Sequence, residues 1–377
     1  MRLLHTGDLH LDSAFCSSDT FGAEEKRAGQ RRMLRRIFDL AREQRCEMML
    51  ISGDLFDSRY VTPETEKCVR TLIEESGIPV VVSPGNHDPY VAGSFYARSD
   101  LPENLYVFNS SQLQRFDFPE LRVSVYGYAF TSASLTVSPL VGESRDESAG
   151  IKLLCAHADI SSPVSRYCPL TVGDVSRLGI SYAALGHIHN RDIDDSTQGA
   201  VIRYCGFPEG RSFDELGDGG VFVVDCGEDG DVSFNRFSVS AHKYEAIELD
   251  ISDCAESSQI IEKISKAVKG VSGGKDTLLR LTLTGTAESD QLPDLEALKK
   301  RFVGEGIVSL EIRDMTLPTA NIDSLRADKT IKGEFYRALY SGLVSEDAAT
   351  REKTALALRI GLAAIEGRRI GGGNQGV

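Results

Sequence analysis

The sequence predicts an α/β fold built around a largely parallel sheet. In residues 1–82, short apolar runs alternate with longer segments of helical periodicity in the order β-α-β-α-β. The same alternation returns in residues 151–185 as a strand, a helix and a strand. Such alternation is typical of parallel strands that are connected through helices on the outside of the sheet.

The elements of the first part follow in order along the chain. Apolar runs rich in Leu, Ile and Val predict strands at residues 1–7, 47–52 and 78–82. Helices are predicted between these strands, at residues 23–44 and 63–76. The first of these helices carries apolar residues at helical spacing along one face, which is the face expected to pack on the sheet.

Further strands are predicted in the middle of the chain. Residues 105–128 hold short runs of alternating polarity that suit a second sheet. Strands at residues 151–156 and 181–185 flank a helix at residues 171–178. Residues 200–237 are interpreted as three antiparallel strands, because turns rich in glycine, proline and aspartate separate their apolar runs.

A domain boundary is predicted about two thirds of the way along the chain, where the polar strand-end motifs described below stop. Residues 1–240 would form the first domain, residues 241–320 a smaller α+β domain, and residues 321–377 a helical tail. Helices are expected at residues 331–344 and 346–366 of the tail, followed by a disordered glycine-rich end.

The composition predicts a soluble globular protein. Of the 377 residues, 41% are hydrophobic and 26% charged, and no apolar run approaches the ~20 residues that a membrane helix needs. The eight cysteines include no Cys-x-x-Cys pair, which favours reduced thiols in the cytoplasm over a disulfide framework or a zinc ribbon. The net charge of −14 argues against a free-standing nucleic-acid-binding domain.

Five of the predicted strands end in side chains that can bind metal ions. The polar blocks that follow them are residues 7–10, 53–57, 85–88, 156–157 and 186–189. Five of the seven histidines of the chain lie in these blocks. A single block would be explained by ordinary turn residues, whereas five blocks at the carboxyl ends of strands indicate one shared metal site.

The residue types in these blocks suit two closely spaced divalent ions. Such a pair needs a bridging carboxylate and about three further protein ligands for each ion. Asp54 is the natural bridge. Asp8 and His10 lie two residues apart, as do His187 and His189, so that a sharp turn can aim each pair at one ion. Mixed nitrogen and oxygen donors favour Mn²⁺, Fe²⁺ or Zn²⁺ over Ca²⁺.

The order of the five blocks resembles that of calcineurin-like metallophosphoesterases. The matching motifs are Asp8-x-His10, Gly53-Asp54, Gly85-Asn86-His87-Asp88, His157 and Gly186-His187-x-His189. Within that superfamily the chain is similar to DNA-repair exonucleases, the nuclease subunits of SbcCD-type complexes, in residues 2–13, 184–189 and 206–211. The resemblance implies a four-layer α-β-β-α sandwich with a smaller α+β capping domain and a helical C-terminal tail.

The resemblance also implies a role for each motif residue. One of two divalent ions, with Mn²⁺ as the expected metal, would be held by Asp8, His10, Asp54 and His189. The other ion would be held by Asp54, Asn86, His157 and His187.

The remaining polar residues of the motifs are assigned other roles. His87 would give a proton to the leaving oxygen or stabilise the transition state. Asp57 would pair with His87 as a dyad and fix its tautomer, with a structural turn residue as the alternative. Arg211 would either contact a substrate phosphate or be an ordinary surface arginine. Outside the motifs, His5 is interpreted as a packed core histidine and His242 as a surface linker residue.

Three functions are compatible with these motifs. The resemblance favours a two-metal nuclease that hydrolyses phosphodiester bonds of DNA in repair or recombination, as an exonuclease and optionally a single-strand endonuclease. The alternatives are a small-molecule or protein phosphoesterase of the same superfamily and a non-catalytic scaffold that retains the metal site. The implied partners are DNA, an SMC-like coiled-coil ATPase that would bind the helical tail, and a second copy of the chain. No membrane partner is expected.

Overall fold

The computed structural model of the protein describes residues 1–15, 22–58, 60–189, 200–227, 230–271, 276–287, 292–304, 306–316 and 322–365. The chain divides into two units, Met1–Tyr244 and Glu245–Val377. The predicted disordered end, residues 371–376, lies outside the described residues.

Strands and helices alternate from β1 to β3 and again from β7 to β8, as the sequence pattern predicts. The strands are β1 (Arg2–Thr6), β2 (Met48–Ile51), β3 (Val80–Val82), β4 (Leu105–Val107), β5 (Gln114–Phe118), β6 (Val123–Gly127), β7 (Ile151–His157), β8 (Tyr182–Gly186), β9 (Val201–Tyr204), β10 (Gly220–Cys226), β11 (Val232–Ser238), β12 (His242–Asp250), β13 (Asp276–Thr284) and β14 (Ile307–Asp314). The helices are α1 (Ala23–Glu43), α2 (Pro63–Ser76), α3 (Val172–Leu178), α4 (Ser257–Val271), α5 (Leu295–Phe302), α6 (Ile322–Ala327), α7 (Ile331–Leu343) and α8 (Ala348–Ile365).

The first sheet has six strands in the order β11-β10-β1-β2-β3-β4. β1 to β4 are parallel, while β10 runs antiparallel to β1 and β11 antiparallel to β10. Helices α1 and α2 connect the parallel strands and cover one face of this sheet. The buried cluster between these helices and the sheet includes Met33, Ile37, Ile73, Leu4, Met49 and Val80.

The second sheet has five strands in the order β5-β6-β7-β8-β9, of which β6 to β9 are parallel. One face packs on the first sheet, where a shared cluster contains Leu50, Val81, Val125 and Leu153. Helix α3 covers the other face through Val175 and Leu178. The layers therefore follow the order helices, sheet, sheet, helix, and the predicted four-layer sandwich is confirmed.

The expectation of three antiparallel strands in residues 200–237 is wrong. β9 runs parallel to β8 in the second sheet, with Tyr182 opposite Val201, and only β10 and β11 form an antiparallel pair. Alternating apolar residues predict that a segment is a strand, but they do not predict which strand it pairs with. The chain between β9 and β10 therefore crosses from one sheet to the other, and it carries Arg211.

The expectation that His242 is a surface linker residue is also wrong. β11 ends at Ser238 and β12 begins at His242, so no exposed linker separates them. The side chain is only 1% exposed, with Nδ1 at 3.4 Å from Glu209 Oε1 and its ring 5.9 Å from that of Tyr244.

The second unit contains a three-stranded sheet in the order β12-β13-β14, in which β13 and β14 are parallel. Helices α4 and α5 supply Ile260, Ile264 and Leu298 to its core. Helices α7 and α8 pack on each other and on α6. Among the described residues, no helix is long and apolar enough to cross a lipid bilayer. The division of this unit at residue 320 stays a prediction.

Candidate metal centre

The candidate metal centre lies where strands of both sheets end. β1, β2 and β3 of the first sheet and β7 and β8 of the second lead into the predicted polar blocks. The structure brings the seven predicted metal ligands close to His87, Asp57 and Arg211. Among the described residues, ligand atoms lie within 4.8 Å of one another in three groups: Asp8, His10 and His189; Asp8, Asp54 and His157; and His10, Asp54 and His87.

Asp54 lies in the middle of these side chains. Its Oδ2 atom is 3.6 Å from His10 Nε2 and 3.4 Å from His157 Nε2, so one carboxylate oxygen faces an imidazole on each side. Burial alone would raise the pKa of Asp54, but the neighbouring imidazoles hold it below its ordinary value. A buried, ionised carboxylate between two sets of donors has the position that a bridging ligand requires.

On one side of Asp54, the donors come from the ends of β1 and β8. Asp8 Oδ1 is 3.7 Å from His189 Nε2, and His10 Nε2 is 3.2 Å from the same nitrogen. On the other side, His157 Nε2 is 2.9 Å from Asn86 Oδ1. The ring of His187 lies 5.1 Å from that of His157, measured between centroids.

Hydrogen bonds orient three of these imidazoles. The Nδ1 atoms contact acceptors outside the cluster: Asp57 at 3.1 Å from His10, the Ser52 carbonyl oxygen at 3.0 Å from His157, and Glu215 at 2.7 Å from His189. A neutral imidazole that donates from Nδ1 presents a lone pair at Nε2. The Nε2 lone pairs of His10 and His189 thus face each other at 3.2 Å and repel each other. A cation bound by both nitrogens would relieve this repulsion. The donor set therefore fits divalent ions.

The backbone of the predicted ligands is held in an unusual conformation. Four of them have positive φ: Asp8 at 50°, His10 at 44°, Asp54 at 48° and His187 at 103°. Non-glycine residues in such regions cost roughly 1–3 kcal/mol each, and they persist only where surrounding contacts enforce them. At Gly85, a Cβ atom would lie 2.1 Å from Asp54 Oδ1, so this close approach requires glycine.

Asp57 and His87 are neighbours, but they differ from the expected dyad. Asp57 Oδ1 lies 3.8 Å from His87 Nδ1, and that nitrogen is closer to the Asp57 carbonyl oxygen, at 3.2 Å. The Asp57 carboxylate instead accepts hydrogen bonds from His10 Nδ1 and from Arg211 Nη1, each at 3.1 Å. Burial would raise the pKa of Asp57, but the hydrogen bond to His10 holds it below its ordinary value. In this geometry Asp57 orients His10 and His87 together.

Replacing Asp57 with asparagine should therefore weaken metal binding as well as turnover. The neutral amide would lose the charge that holds His10 Nδ1 and would leave Arg211 without this counter-ion. We expect the dissociation constant for Mn²⁺ to rise ~10–100-fold, the range typical for partners of metal-binding histidines. Isothermal titration with Mn²⁺ measures this change. Asp146→Asn is a matched control, because Asp146 also forms an ion pair, with Arg115 at 2.9 Å, but contacts none of the candidate ligands. An equal loss of Mn²⁺ affinity in both variants would contradict the proposed role of Asp57.

Two residues of the site were missed in the sequence. Glu215 accepts hydrogen bonds from His189 and, at 2.9 Å, from Arg211 Nη2. Burial opposes ionisation of Glu215, but these hydrogen bonds lower its pKa to about 2. The ring of Tyr167 lies 4.7 Å from that of His187. Nothing in the local sequence marks either residue, since each reaches the site through a long loop.

A four-layer sandwich with aspartate, histidine and asparagine donors at the strand ends defines a metal-dependent phosphoesterase. Residues 1–191 match the sequence profile described as calcineurin-like phosphoesterase, and the chain belongs to that family. It is accordingly a hydrolase of phosphoester bonds, in a family whose fold uses divalent metal ions.

Three relatives are similar to the chain over more than half of its length. The chain is 27% identical over 361 residues to the uncharacterized metallophosphoesterase YhaO of Bacillus subtilis, with 86% of this chain and 84% of the relative covered. It is 25% identical over 246 residues to the DNA double-strand break repair protein Mre11 of Saccharolobus solfataricus, which covers 61% of each chain. It is 24% identical over 247 residues to a subunit of the nuclease SbcCD of Staphylococcus epidermidis, covering 57% of this chain and 63% of the relative.

Proposed function

We propose that the protein is a two-metal DNA nuclease that hydrolyses phosphodiester bonds during repair or recombination. The observation that carries the proposal is the position of Asp54 Oδ2 between His10 and His157, which suits a pair of ions. DNA is favoured as the substrate because two similar proteins are named as a DNA break repair protein and a nuclease subunit.

The proposed ligands divide into two sets that share Asp54. One ion would be held by Asp8, His10, Asp54 and His189, and the other by Asp54, Asn86, His157 and His187. Mn²⁺ suits this mixture of imidazole, carboxylate and amide donors. When bound, such a pair supplies Lewis-acid stabilisation of the phosphoryl oxygens and activates water for an in-line attack.

His87 is proposed as the proton donor to the leaving oxygen. Its side chain is 46% exposed, whereas the neighbouring His10 and Asp54 are buried, so His87 can reach a substrate at the mouth of the site. Its main-chain N–H donates to Asp54 Oδ1 at 3.0 Å, which fixes the loop. A protonated ring would donate from Nδ1 to the Asp57 carbonyl and present Nε2–H to the substrate.

Arg211 is proposed to act mainly by positioning. Its guanidinium connects Asp57 to Glu215, and these two carboxylates in turn hold His10 and His189. An arginine engaged with two carboxylates has fewer donors left for a phosphate. A direct contact between Arg211 and substrate stays a prediction.

The decisive experiment measures the purified protein with Mn²⁺ on end-labelled linear DNA. Bis-p-nitrophenyl phosphate and p-nitrophenyl phosphate are tested in parallel, and chelation of the metal should stop all activity. We expect release of nucleotides from DNA ends and slower cleavage of single-stranded DNA. Hydrolysis of the small esters without cleavage of DNA would instead support a small-molecule phosphoesterase, and bound metal without any hydrolysis would support a scaffold.

The helical tail is proposed to bind an SMC-like coiled-coil ATPase. On α8, Leu358 and Leu362 are buried against Tyr336 and Leu325, while Leu356 and Ile360 on another side are 39% exposed. A helix that is apolar on a second, exposed side suits docking onto another helical surface. This exposed pair is the proposed anchor.

Glutamate at positions 356 and 360 should abolish binding to the ATPase. The double variant Leu356→Glu/Ile360→Glu places two charges on the exposed side and leaves the buried side intact, so the fold and the metal content should be retained. Co-purification with a co-expressed ATPase of this class measures binding. Deletion of residues 328–377 should have the same effect, and Lys300→Glu at an exposed position of α5 is the control. Undiminished co-purification of the double variant would contradict this interface.

A further inference from the structure

A chain of uncharged polar side chains lies buried beneath the metal centre. Tyr182 Oη is 2.8 Å from His5 Nδ1, and His5 Nε2 is 3.1 Å from Ser52 Oγ. Ser52 Oγ is 3.7 Å from Cys205 Sγ, which lies 3.5 Å from Asp8 Oδ2. The five residues come from both sheets or from the loops directly after their strands, and all five side chains are buried.

The donors along this chain are directed toward Asp8. Burial lowers the pKa of His5 to about 3, so its ring is neutral and carries a single N–H. Ser52 Oγ accepts from His5 Nε2–H, which leaves its own hydroxyl hydrogen to donate to Cys205 Sγ at 3.7 Å. His5 Nδ1 then accepts from the hydroxyl of Tyr182. The last member, Cys205, has the carboxylate of Asp8 as an acceptor.

The packing around the thiol leaves it little freedom. A Cβ atom at Gly7 would lie 2.6 Å from Ser52 Oγ and 3.0 Å from Cys205 Sγ, so only glycine fits beside the pair. Cys205 itself is 2% exposed. A thiol is the ordinary state of a cysteine at neutral pH, and it is a weak hydrogen-bond donor. Its hydrogen bond therefore affects the direction of the Asp8 carboxylate more than the stability of the fold.

We infer that Cys205 is a positioning residue for Asp8, and that Tyr182, His5 and Ser52 hold its thiol in place. This inference rests on the proposed role of Asp8 as a metal ligand. The carboxylate of Asp8 accepts main-chain N–H of His187 on both oxygens, at 3.1 and 2.9 Å, and the thiol contact is on Oδ2. With Oδ2 held by these donors, Oδ1 is directed toward His189 Nε2, where a metal ion is proposed.

Mn²⁺ binding to the full-length chain tests this inference without any substrate. Isothermal titration is carried out on the wild type and on Cys205→Ala, Cys205→Ser and Ser52→Ala, and urea unfolding of each metal-free protein is followed separately. Cys226→Ala is the matched control, because Cys226 is equally buried and packs in the apolar cluster between the two sheets. We expect Cys205→Ala to raise the dissociation constant of the affected ion ~10–100-fold. Cys205→Ser, which keeps a donor, should recover most of the affinity, and Ser52→Ala should have a smaller effect than Cys205→Ala.

Several outcomes would overturn the inference. Unchanged Mn²⁺ affinity in Cys205→Ala would show that the thiol does not position Asp8, and an equal loss in Cys226→Ala would show a general packing effect. Unchanged affinity in Ser52→Ala would show that Tyr182, His5 and Ser52 do not hold the thiol in place. A wild-type chain that binds no Mn²⁺ would overturn this inference together with the ligand assignment. If the wild type binds Mn²⁺ but does not cleave DNA, only the proposed function fails, because the affinities are measured without DNA.

Discussion

Replacement of Asp54 with alanine is expected to remove both metal ions and nearly all phosphoesterase activity. Asp54 Oδ2 lies 3.4–3.6 Å from an imidazole nitrogen of each proposed ligand set, so its loss deprives both ions of their shared ligand. It would also leave the main-chain N–H of His87 without the acceptor that holds its loop. The measurement is the number of metal ions per chain in the purified protein, determined by elemental analysis.

The control for Asp54→Ala is a buried aspartate outside the site. Asp174→Ala removes the N3 half of the capping box at the start of α3 and keeps Thr171 as the N-cap, so it should lower stability slightly and leave the metal content unchanged. Asp54→Asn removes the negative charge but nearly preserves the shape of the side chain, so it tests whether metal binding needs the charge. Two ions still bound per chain in Asp54→Ala would contradict a bridging role, and one retained ion would place Asp54 in a single ligand set.

His87→Ala is expected to keep both ions and to lower the rate of DNA cleavage by ~10²–10⁴, the usual contribution of a general acid or base. His87 is the most exposed imidazole of the cluster, and its main chain, which alanine preserves, makes the hydrogen bond to Asp54. The measurement compares kcat and metal content with those of the wild type.

Substrates with different leaving groups distinguish proton donation by His87 from its other possible roles. p-Nitrophenolate leaves without protonation, whereas the alkoxide of a DNA strand benefits from a proton. The defect of His87→Ala should therefore be much smaller on bis-p-nitrophenyl phosphate than on DNA. Equal defects on both substrates would indicate stabilisation of the transition state, and loss of one ion would make His87 a ligand.

The sandwich and the clustering of the polar blocks could be predicted because both depend on local patterns. A strand followed by Gly-Asp or Gly-Asn-His can be recognised within about ten residues, and parallel strands bring their carboxyl ends to one edge. The proposed roles of the individual residues stay predictions, because no metal or substrate contact tests them.

The missed contacts depend on chain segments that are far apart in sequence. Cys205 reaches Asp8 across 197 residues, and Arg211 reaches Asp57 across 154. No sequence pattern within either segment predicts such a contact. For the same reason the sequence predicts His87 as the partner of Asp57, whereas the tertiary structure places His10 Nδ1 closer to its carboxylate, at 3.1 Å against 3.8 Å for His87 Nδ1.

The division of the candidate ligands between the two sheets has a consequence for the lifetime of the protein. Ions held jointly by the ends of β1, β2 and β3 and by those of β7 and β8 would join layers that otherwise meet through apolar side chains. A ligand that binds only the folded chain adds about 2.7 kcal/mol to the free energy of unfolding at a hundredfold excess over its dissociation constant. Scarcity of the metal would then expose the protein to unfolding and proteolysis, so the supply of the ion would set its abundance in addition to its activity.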